Sequence, residues 1–241
     1  MIRTLIFSLL ISSSTLFSQS HKHWFAVKGG MNFCFSNTFI QSDFLTHSNL
    51  PKGMNSQSFG VGYTYLRNNS LVLNADFIYM QKGGYLDNIA LSPDTEVDMT
   101  FRTQHLTIPL KVGVNVGKTF YAQFLFGLST TFLLTARFQY DLDNVNYNIK
   151  PYAHSYIDLG MNAEAKTGYC FSDQLRFFLS VTYDRSFFKH KFYVDIPEPT
   201  KQMPAQVQYE FASLMIGLSY NIKGDWSVLK PKKKRKVKDE E

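Results

Sequence analysis

The sequence predicts an all-β protein: an eight-stranded antiparallel up-and-down transmembrane β-barrel. Three observations predict this fold. Apolar residues recur at every second position in eight separate runs, and the connections between these runs are alternately short and long. Aromatic residues make up 16% of the chain, whereas the mean hydropathy is only −0.17. Amphipathic strands explain this combination better than membrane-spanning helices do.

Composition excludes several other classes. An apolar fraction of 44% with 18% charged residues excludes a disordered chain, and two cysteines exclude a disulfide scaffold. The net charge of +6 comes mainly from the chain ends, because Arg3 contributes +1 and residues 223–241 contribute +4, from eight basic and four acidic groups. Residues 19–222 have 16 basic and 15 acidic groups, a net charge of +1. We therefore expect no nucleic-acid partner.

Residues 1–20 read as a secretory signal peptide. Arg3 gives a positive start, a short apolar stretch follows to Phe17, and Ser18 and Ser20 suit cleavage. The stretch is too short for a typical membrane-spanning helix. The alternative is an ordinary hydrophobic first strand. The predicted organisation is a signal peptide at 1–20, a barrel at 21–222 and a basic periplasmic tail at 223–241.

Each of the eight runs alternates bulky apolar residues with small or polar ones. In the first, Phe25, Val27 and Met31 alternate with polar or small residues. In the fifth, the apolar set includes four phenylalanines. In chain order, the predicted strands lie at 25–35, 59–65, 71–80, 105–115, 120–132, 157–169, 176–184 and 213–222.

The connections predict which strand ends lie together. Tight polar turns occupy 67–70, 116–119 and 171–174, whereas 36–56, 83–102, 134–153 and 189–206 are predicted to be long polar loops. Strict alternation of the two kinds places all turns at one end of the sheet and all long loops at the other. Outer-membrane barrels have this layout, with turns and termini in the periplasm and loops outside the cell.

The residue sizes indicate which face points outward. The apolar positions are bulky, and so many large side chains would overfill a small lumen, so we expect them on the lipid side. A soluble periplasmic lipocalin-like barrel, with the faces reversed, is the alternative. Predicted interfacial aromatic residues are Tyr63, Tyr65, Tyr79, Phe120, Tyr121, Tyr169 and Tyr220.

The inward set contains five positive and four negative residues. Because an unpaired buried charge costs several kcal/mol, this near balance predicts an ion-pair network across the lumen. A proton or ion path is the alternative. The nine residues are Lys28, Asp76, Lys82, Lys111, Asp158, Glu164, Lys166, Arg176 and Asp184.

No catalytic or metal-binding motif emerges from the sequence. His105 or His154 could act as a base, the latter beside Ser155, but spacing fixes no acidic partner. His21 and His23 could bind a metal only as an adventitious terminal pair. We therefore predict no enzymatic activity, no metal and no cofactor.

The two cysteines are not predicted to form a disulfide. The predicted strand directions place Cys34 near the loop end and Cys170 near the turn end. Their separation should approach the roughly 25 Å height of the apolar band, whereas a disulfide needs Cα atoms within about 7 Å.

The last residues form a cationic segment. Residues 231–237 (PKKKRKV) match a nuclear localisation pattern, which is incompatible with secretion into a membrane; an appended tag is another possibility. We predict a mobile periplasmic tail that attracts phosphate head groups, anionic peptidoglycan polymers or an acidic protein. Its central basic residues are Lys232, Lys233, Lys234, Arg235 and Lys236.

Several segments together resemble PorT-type outer-membrane β-barrel proteins. They are residues 25–33 (FAVKGGMNF), 77–84 (FIYMQKGG) and 106–111 (LTIPLK), with Gly127 and residues 158–160 (DLG). The resemblance spans residues 24–222 and implies an outer membrane of the Bacteroidetes type. It also implies a possible link to type IX protein secretion. The last strand differs from the usual barrel ending, because Tyr220 is followed by two residues and a tail.

Three functional hypotheses follow. The first is an integral outer-membrane structural or accessory component, with outer-membrane lipid and periplasmic or secretion-complex proteins as partners. The second is a surface protein that binds a ligand or mediates adhesion through its four long extracellular loops. The third is a lipid-modifying outer-membrane enzyme.

Overall fold

The computed structural model describes residues 21–35, 37–40, 52–92, 95–142, 145–153, 155–196 and 201–222. Within these ranges no helix is long and apolar enough to cross a membrane. The strands of the described residues are β1 (His21–Cys34), β2 (Asn37–Ile40), β3 (Lys52–Arg67), β4 (Leu71–Ser92), β5 (Thr95–Gly117), β6 (Phe120–Leu142), β7 (Val145–Ile149), β8 (Tyr152–Ala153), β9 (Ile157–Cys170), β10 (Leu175–Ser186), β11 (His190–Ile196), β12 (Lys201–Gln208) and β13 (Glu210–Asn221). The predicted signal peptide and basic tail lie outside these residues.

Eight of the strands close into a barrel, which confirms the predicted fold. The order around the barrel is β1-β3-β4-β5-β6-β9-β10-β13, and β13 pairs back with β1. All neighbours are antiparallel. In the three-residue turn between Arg67 and Leu71, Asn68 and Asn69 have φ angles of 53° and 57°, the left-handed region that asparagine tolerates better than most residues. The tight turns lie together at one end, here called the turn end, and the opposite end is the loop end.

The outer face of the barrel is apolar and the inner face is polar. On β6, the outward Phe124 and Phe126 are 60% and 59% exposed, whereas Gln123 is completely buried. The predicted orientation of the two faces is therefore confirmed, and the outer surface suits contact with lipid. The prediction of Tyr121 as an interfacial residue on the outside is wrong. It follows the outward Phe120, so the period of two turns its side chain into the barrel, where it is only 4% exposed.

The long connections are not the polar loops that the sequence predicts. Strands β4 and β5 extend through the connection to Ser92 and Thr95, and β6 continues to Leu142 and pairs with β7. The short strands β2, β12, β11 and β8 form a separate four-stranded sheet. For the described residues, the prediction of long polar loops is wrong because these segments carry their own alternating pattern.

That pattern is inverted relative to the barrel wall. On β5, Phe101 points inward and is completely buried, whereas its neighbour Arg102 is exposed; on β6, the buried Phe138 and the exposed Arg137 repeat this arrangement. Apolar side chains thus face inward at the loop end, as they do in a sheet that stands in water. They form the loop-end core: Val97, Met99, Phe101, Leu133, Phe138, Tyr140, Ala153, Phe192, Val207 and Tyr209.

Candidate functional site in the barrel lumen

A continuous chain of ion pairs crosses the middle of the lumen. Nζ of Lys28 lies 2.8 Å from Oδ2 of Asp76, and the same oxygen lies 2.7 Å from Nζ of Lys111. Lys111 also pairs with Glu164, and Nζ of Lys166 lies 3.4 Å from Oε1 of Glu164. All five residues are at most 6% exposed. These residues are called the central network.

Small residues on the intervening strands allow the network to form. Lys28 and Asp76 belong to β1 and β4, which are separated by β3. There, the inward position nearest Asp76 is Gly62, and a Cβ on this glycine would overlap Oδ1 of Asp76. Similarly, β6 separates Lys111 from Glu164, and its inward Gly127 lies opposite Lys111 in the register. The missing side chains leave space for long lysines to reach across.

The network fills the lumen with paired charges. Three lysines and two carboxylates leave a net charge of +1 within the cluster. Asn74 adds a hydrogen bond by donating from Nδ2 to Oδ1 of Asp76 at 3.4 Å, and a second to Oγ1 of Thr64 at 3.0 Å. Buried charges are tolerated when ion pairs and hydrogen bonds satisfy them together. The arrangement occupies the pore rather than lining an open one.

The other four predicted lumen residues lie at different heights and join other partners. Near the loop end, Nζ of Lys82 lies 4.3 Å from the ring centre of Phe211. Asp184 accepts a hydrogen bond from Nδ2 of Asn162 at 3.0 Å. Oδ2 of Asp158 lies 3.1 Å from Nε2 of His190, and Arg176 lies at the turn end. The nine residues thus divide into a central group of five and four residues outside it, of which Lys82 interacts electrostatically with Asp184 and Asp158.

Two buried histidines lie beneath the loop-end core. His105, which the sequence singles out only as a candidate base, is 1% exposed, and its Nε2 lies 2.8 Å from Oγ1 of Thr103. Its ring meets that of Tyr209 edge-on at 4.9 Å. His190 is not a sequence candidate, because it lies in a segment that is predicted to be a polar loop. Only the inverted alternation of residues 190–193 signals its burial.

The remaining candidates do not assemble into a catalytic or metal site within the described residues. The hydroxyl of Ser155 is exposed and donates to the carbonyl of Ile157 at 2.9 Å, and its neighbour His154 lies outside the described residues. Nδ1 of His21 and of His23 lie 2.7 Å from the hydroxyls of Tyr65 and Tyr63, respectively. In the described part of the chain no three His, Cys, Asp or Glu side chains group as metal ligands.

The thiols occupy opposite ends of the barrel wall. Cys34 ends β1 at the loop end, and Cys170 ends β9 at the turn end. Within the described residues neither cysteine forms a disulfide. The residues of the predicted basic tail, Lys232 to Lys236, lie outside the described residues.

The comparisons with known proteins agree with this architecture. The family described as outer membrane protein beta-barrel domain matches residues 17–190. No curated protein matches the sequence significantly. The outer membrane protein OprG from Pseudomonas aeruginosa has a similar structure, with a TM-score of 0.56, 14% identity and coverage of 83% of this chain and 96% of that chain. A major outer membrane protein from Thermus thermophilus has a TM-score of 0.52, also with 14% identity, covering 83% and 99%. At these identities, the likeness concerns the fold alone.

Proposed function

The chain belongs to the outer-membrane β-barrel domain family, and from this premise we propose that it is a structural or accessory component of the outer membrane that neither conducts nor catalyses. The observation that carries the proposal is the central network, which crosses the lumen from Lys28 to Lys166. An eight-stranded barrel is just wide enough for side chains to fill it. Transport through the lumen would require these ion pairs to separate, so the protein acts through its surfaces.

The two ends of the barrel take different roles in this proposal. The turn end, where β1 begins and β13 ends, faces the periplasm, and the loop end faces the medium, as is usual for the class. The lipid partner contacts the apolar outer face of the barrel, and periplasmic proteins contact the tight turns. The predicted signal peptide and the even number of strands support this orientation.

A link to protein secretion is the finer part of the proposal, and the resemblance to PorT-type barrels supports it. A deletion strain tests it. If the protein is a secretion accessory, type IX cargo should accumulate in the periplasm of the strain, and the wild-type gene should restore export. Normal export with unchanged envelope integrity would contradict the accessory role.

Surface binding is the second candidate, favoured by the loop-end core. Rings of Phe101 and Phe138 stack at 5.9 Å, and Phe138 meets Phe192 edge-on at 6.2 Å. Such packing holds the outer strands in one arrangement, and a rigid platform loses less conformational entropy on binding than mobile loops do. If this candidate is right, the deletion strain should secrete normally but lose adhesion to its surface ligand.

A further inference from the structure

A second polar site lies at the turn end, separate from the central network. There, a cavity of about 310 Å³ opens between the turns that join β5 to β6 and β9 to β10. Its walls include Trp24, Tyr121 and Arg176, and its rim carries Lys22, Lys118 and Asp173. A volume of this size accommodates a small molecule or a single head group.

Arg176 is an unusual residue to find at the base of this cavity. It is 3% exposed, and its guanidinium carbon lies 3.9 Å from the ring centre of Trp24 and 4.9 Å from that of Tyr121. The two rings hold the charge by cation–π contacts. Among the described residues, no carboxylate forms an ion pair with this guanidinium. A buried cation without a counter-charge favours the binding of an anion.

Two donors in the same wall lack acceptors. Nε of Arg176 and Nε1 of Trp24 are both buried without a hydrogen-bond partner. Buried polar groups in native proteins are nearly always satisfied, so unpaired donors mark a place where a ligand or water completes the site. Both residues line the cavity, and each of these two nitrogens needs an acceptor rather than a donor.

We propose that this cavity binds a phosphate-type oxyanion. Its charged rim and wall groups are three cations, Lys22, Lys118 and Arg176, against the single carboxylate of Asp173, a net charge of +2. A phosphate group carries more negative charge and more acceptor oxygens than a carboxylate does, so it matches this surplus of cationic donors better.

Hydrogen bonds hold the walls of the cavity in place. The thiol of Cys170 donates to the carbonyl of Lys118 at 3.2 Å, and its amide donates to the carbonyl of Thr119 at 2.8 Å. Nδ2 of Asn115 donates to the carbonyls of Asn69 and Gly117 at 2.8 and 3.1 Å. The turn that carries Lys118 is thus held in place before any ligand binds, which lowers the conformational entropy lost on binding.

The chain's own C-terminal segment does not complement the site. Residues 223–241 follow the last barrel strand in the sequence and carry eight basic against four acidic groups. Their net positive charge would be repelled by a cavity of net charge +2. The phosphate is supplied either by a free ion or by a lipid head group.

Trp24 provides the reporter for the test. The only other tryptophan is Trp226, so a W226F background assigns the fluorescence to Trp24 alone. Full-length protein in a phosphate-free detergent is titrated with inorganic phosphate at constant ionic strength. We expect a saturable change in emission, which an equivalent titration with chloride does not produce.

Variants of the cavity make the titration specific. Arg176→Gln should weaken phosphate binding about tenfold or more, because it removes a charge-assisted contact. Lys118→Ala alters an exposed turn side chain that the barrel does not need for folding, and it should weaken binding several-fold. The matched control is Arg67→Gln, an arginine at the same end outside the cavity, which should bind as the parent does.

Nanodiscs distinguish the two sources of phosphate. If a lipid head group fills the site, the response to free phosphate should disappear in discs rich in phosphatidic acid and persist in discs of phosphatidylcholine. If the ligand is a free ion, both discs should give the same titration. A saturable response that neither Arg176→Gln nor Lys118→Ala weakens, or no saturable response in detergent and in both discs, would overturn the proposal.

Discussion

Removing one carboxylate from the central network should destabilise the barrel strongly. Glu164 pairs with both Lys111 and Lys166, and its side chain is completely buried. The network carries a net charge of +1 in the parent protein and would carry +2 in Glu164→Gln. Breaking a buried ion pair by removing one partner typically costs about 3–5 kcal/mol. We expect Glu164→Gln to lower the free energy of unfolding by that amount.

A second substitution should recover part of the loss. In Glu164→Gln, Lys166 keeps its charge but loses the carboxylate beside it. Adding Lys166→Met restores the net charge of +1 and removes the unpaired cation. The double variant should therefore be more stable than Glu164→Gln by at least about 1 kcal/mol, a coupling typical of contacting residues.

The assay is urea unfolding of the refolded barrel in detergent micelles, followed by heat-modifiable gel mobility. Glu210→Gln is the matched control, because its pair with Arg185 is long, at 4.0 Å, and partly exposed. An exposed pair contributes at most about 1 kcal/mol. The reasoning fails if Glu164→Gln unfolds like the control, or if Lys166→Met brings no recovery.

Three further predictions concern the barrel wall and its ends. Phe138→Ala should lower the free energy of unfolding of the loop-end core by about 3–5 kcal/mol and create new cleavage sites there in limited proteolysis, while the barrel keeps its heat-modifiable gel mobility. The control, Arg137→Ala at an exposed neighbouring position, should stay resistant to the protease. Equal cleavage of both variants would argue against a packed core. Gly127→Ala should destabilise the barrel by about 1–3 kcal/mol, because a Cβ there would overlap the carbonyl oxygen of Leu110. Gly29→Ala is the control: the nearest atom to its added Cβ would be 3.6 Å away, so its effect on stability should be near zero. Equal urea midpoints for the two variants would contradict this. Deletion of residues 231–241 should leave membrane insertion intact, since this segment offers little apolar surface to bury, and failed insertion would make it part of the assembly signal.

The barrel itself could be predicted from the sequence because its wall follows a single rule. Alternation of outward apolar and inward polar residues locates every barrel strand, and tight turns such as 67–70 fix how the strands connect. The loop-end core could not be predicted because the rule inverts there. Phe101 and Phe138 belong to segments with polar neighbours. A pattern of period two shows that one face is apolar, but the apolar face points outward where the strand contacts lipid and inward where it contacts water. The sequence does not show where along a strand the surroundings change from lipid to water.

The lumen was predictable in composition but not in its contacts. The near balance of inward charges predicts pairing, yet Lys28 reaches Asp76 only because Gly62 leaves a gap on the strand between them. Such contacts depend on the height of each residue along tilted strands, which local sequence does not specify. Arg176, included in the same predicted network, lies instead between two aromatic rings at the turn end.

Single-protein conductance in planar lipid bilayers tests the central claim most directly. The purified protein is inserted at low density, and current is recorded across a range of voltages with a known porin as the positive control. Because the central network fills an eight-stranded lumen, we predict no large steady conductance. A stable porin-like conductance from the monomer would contradict the filled lumen and, with it, the proposed non-conducting role.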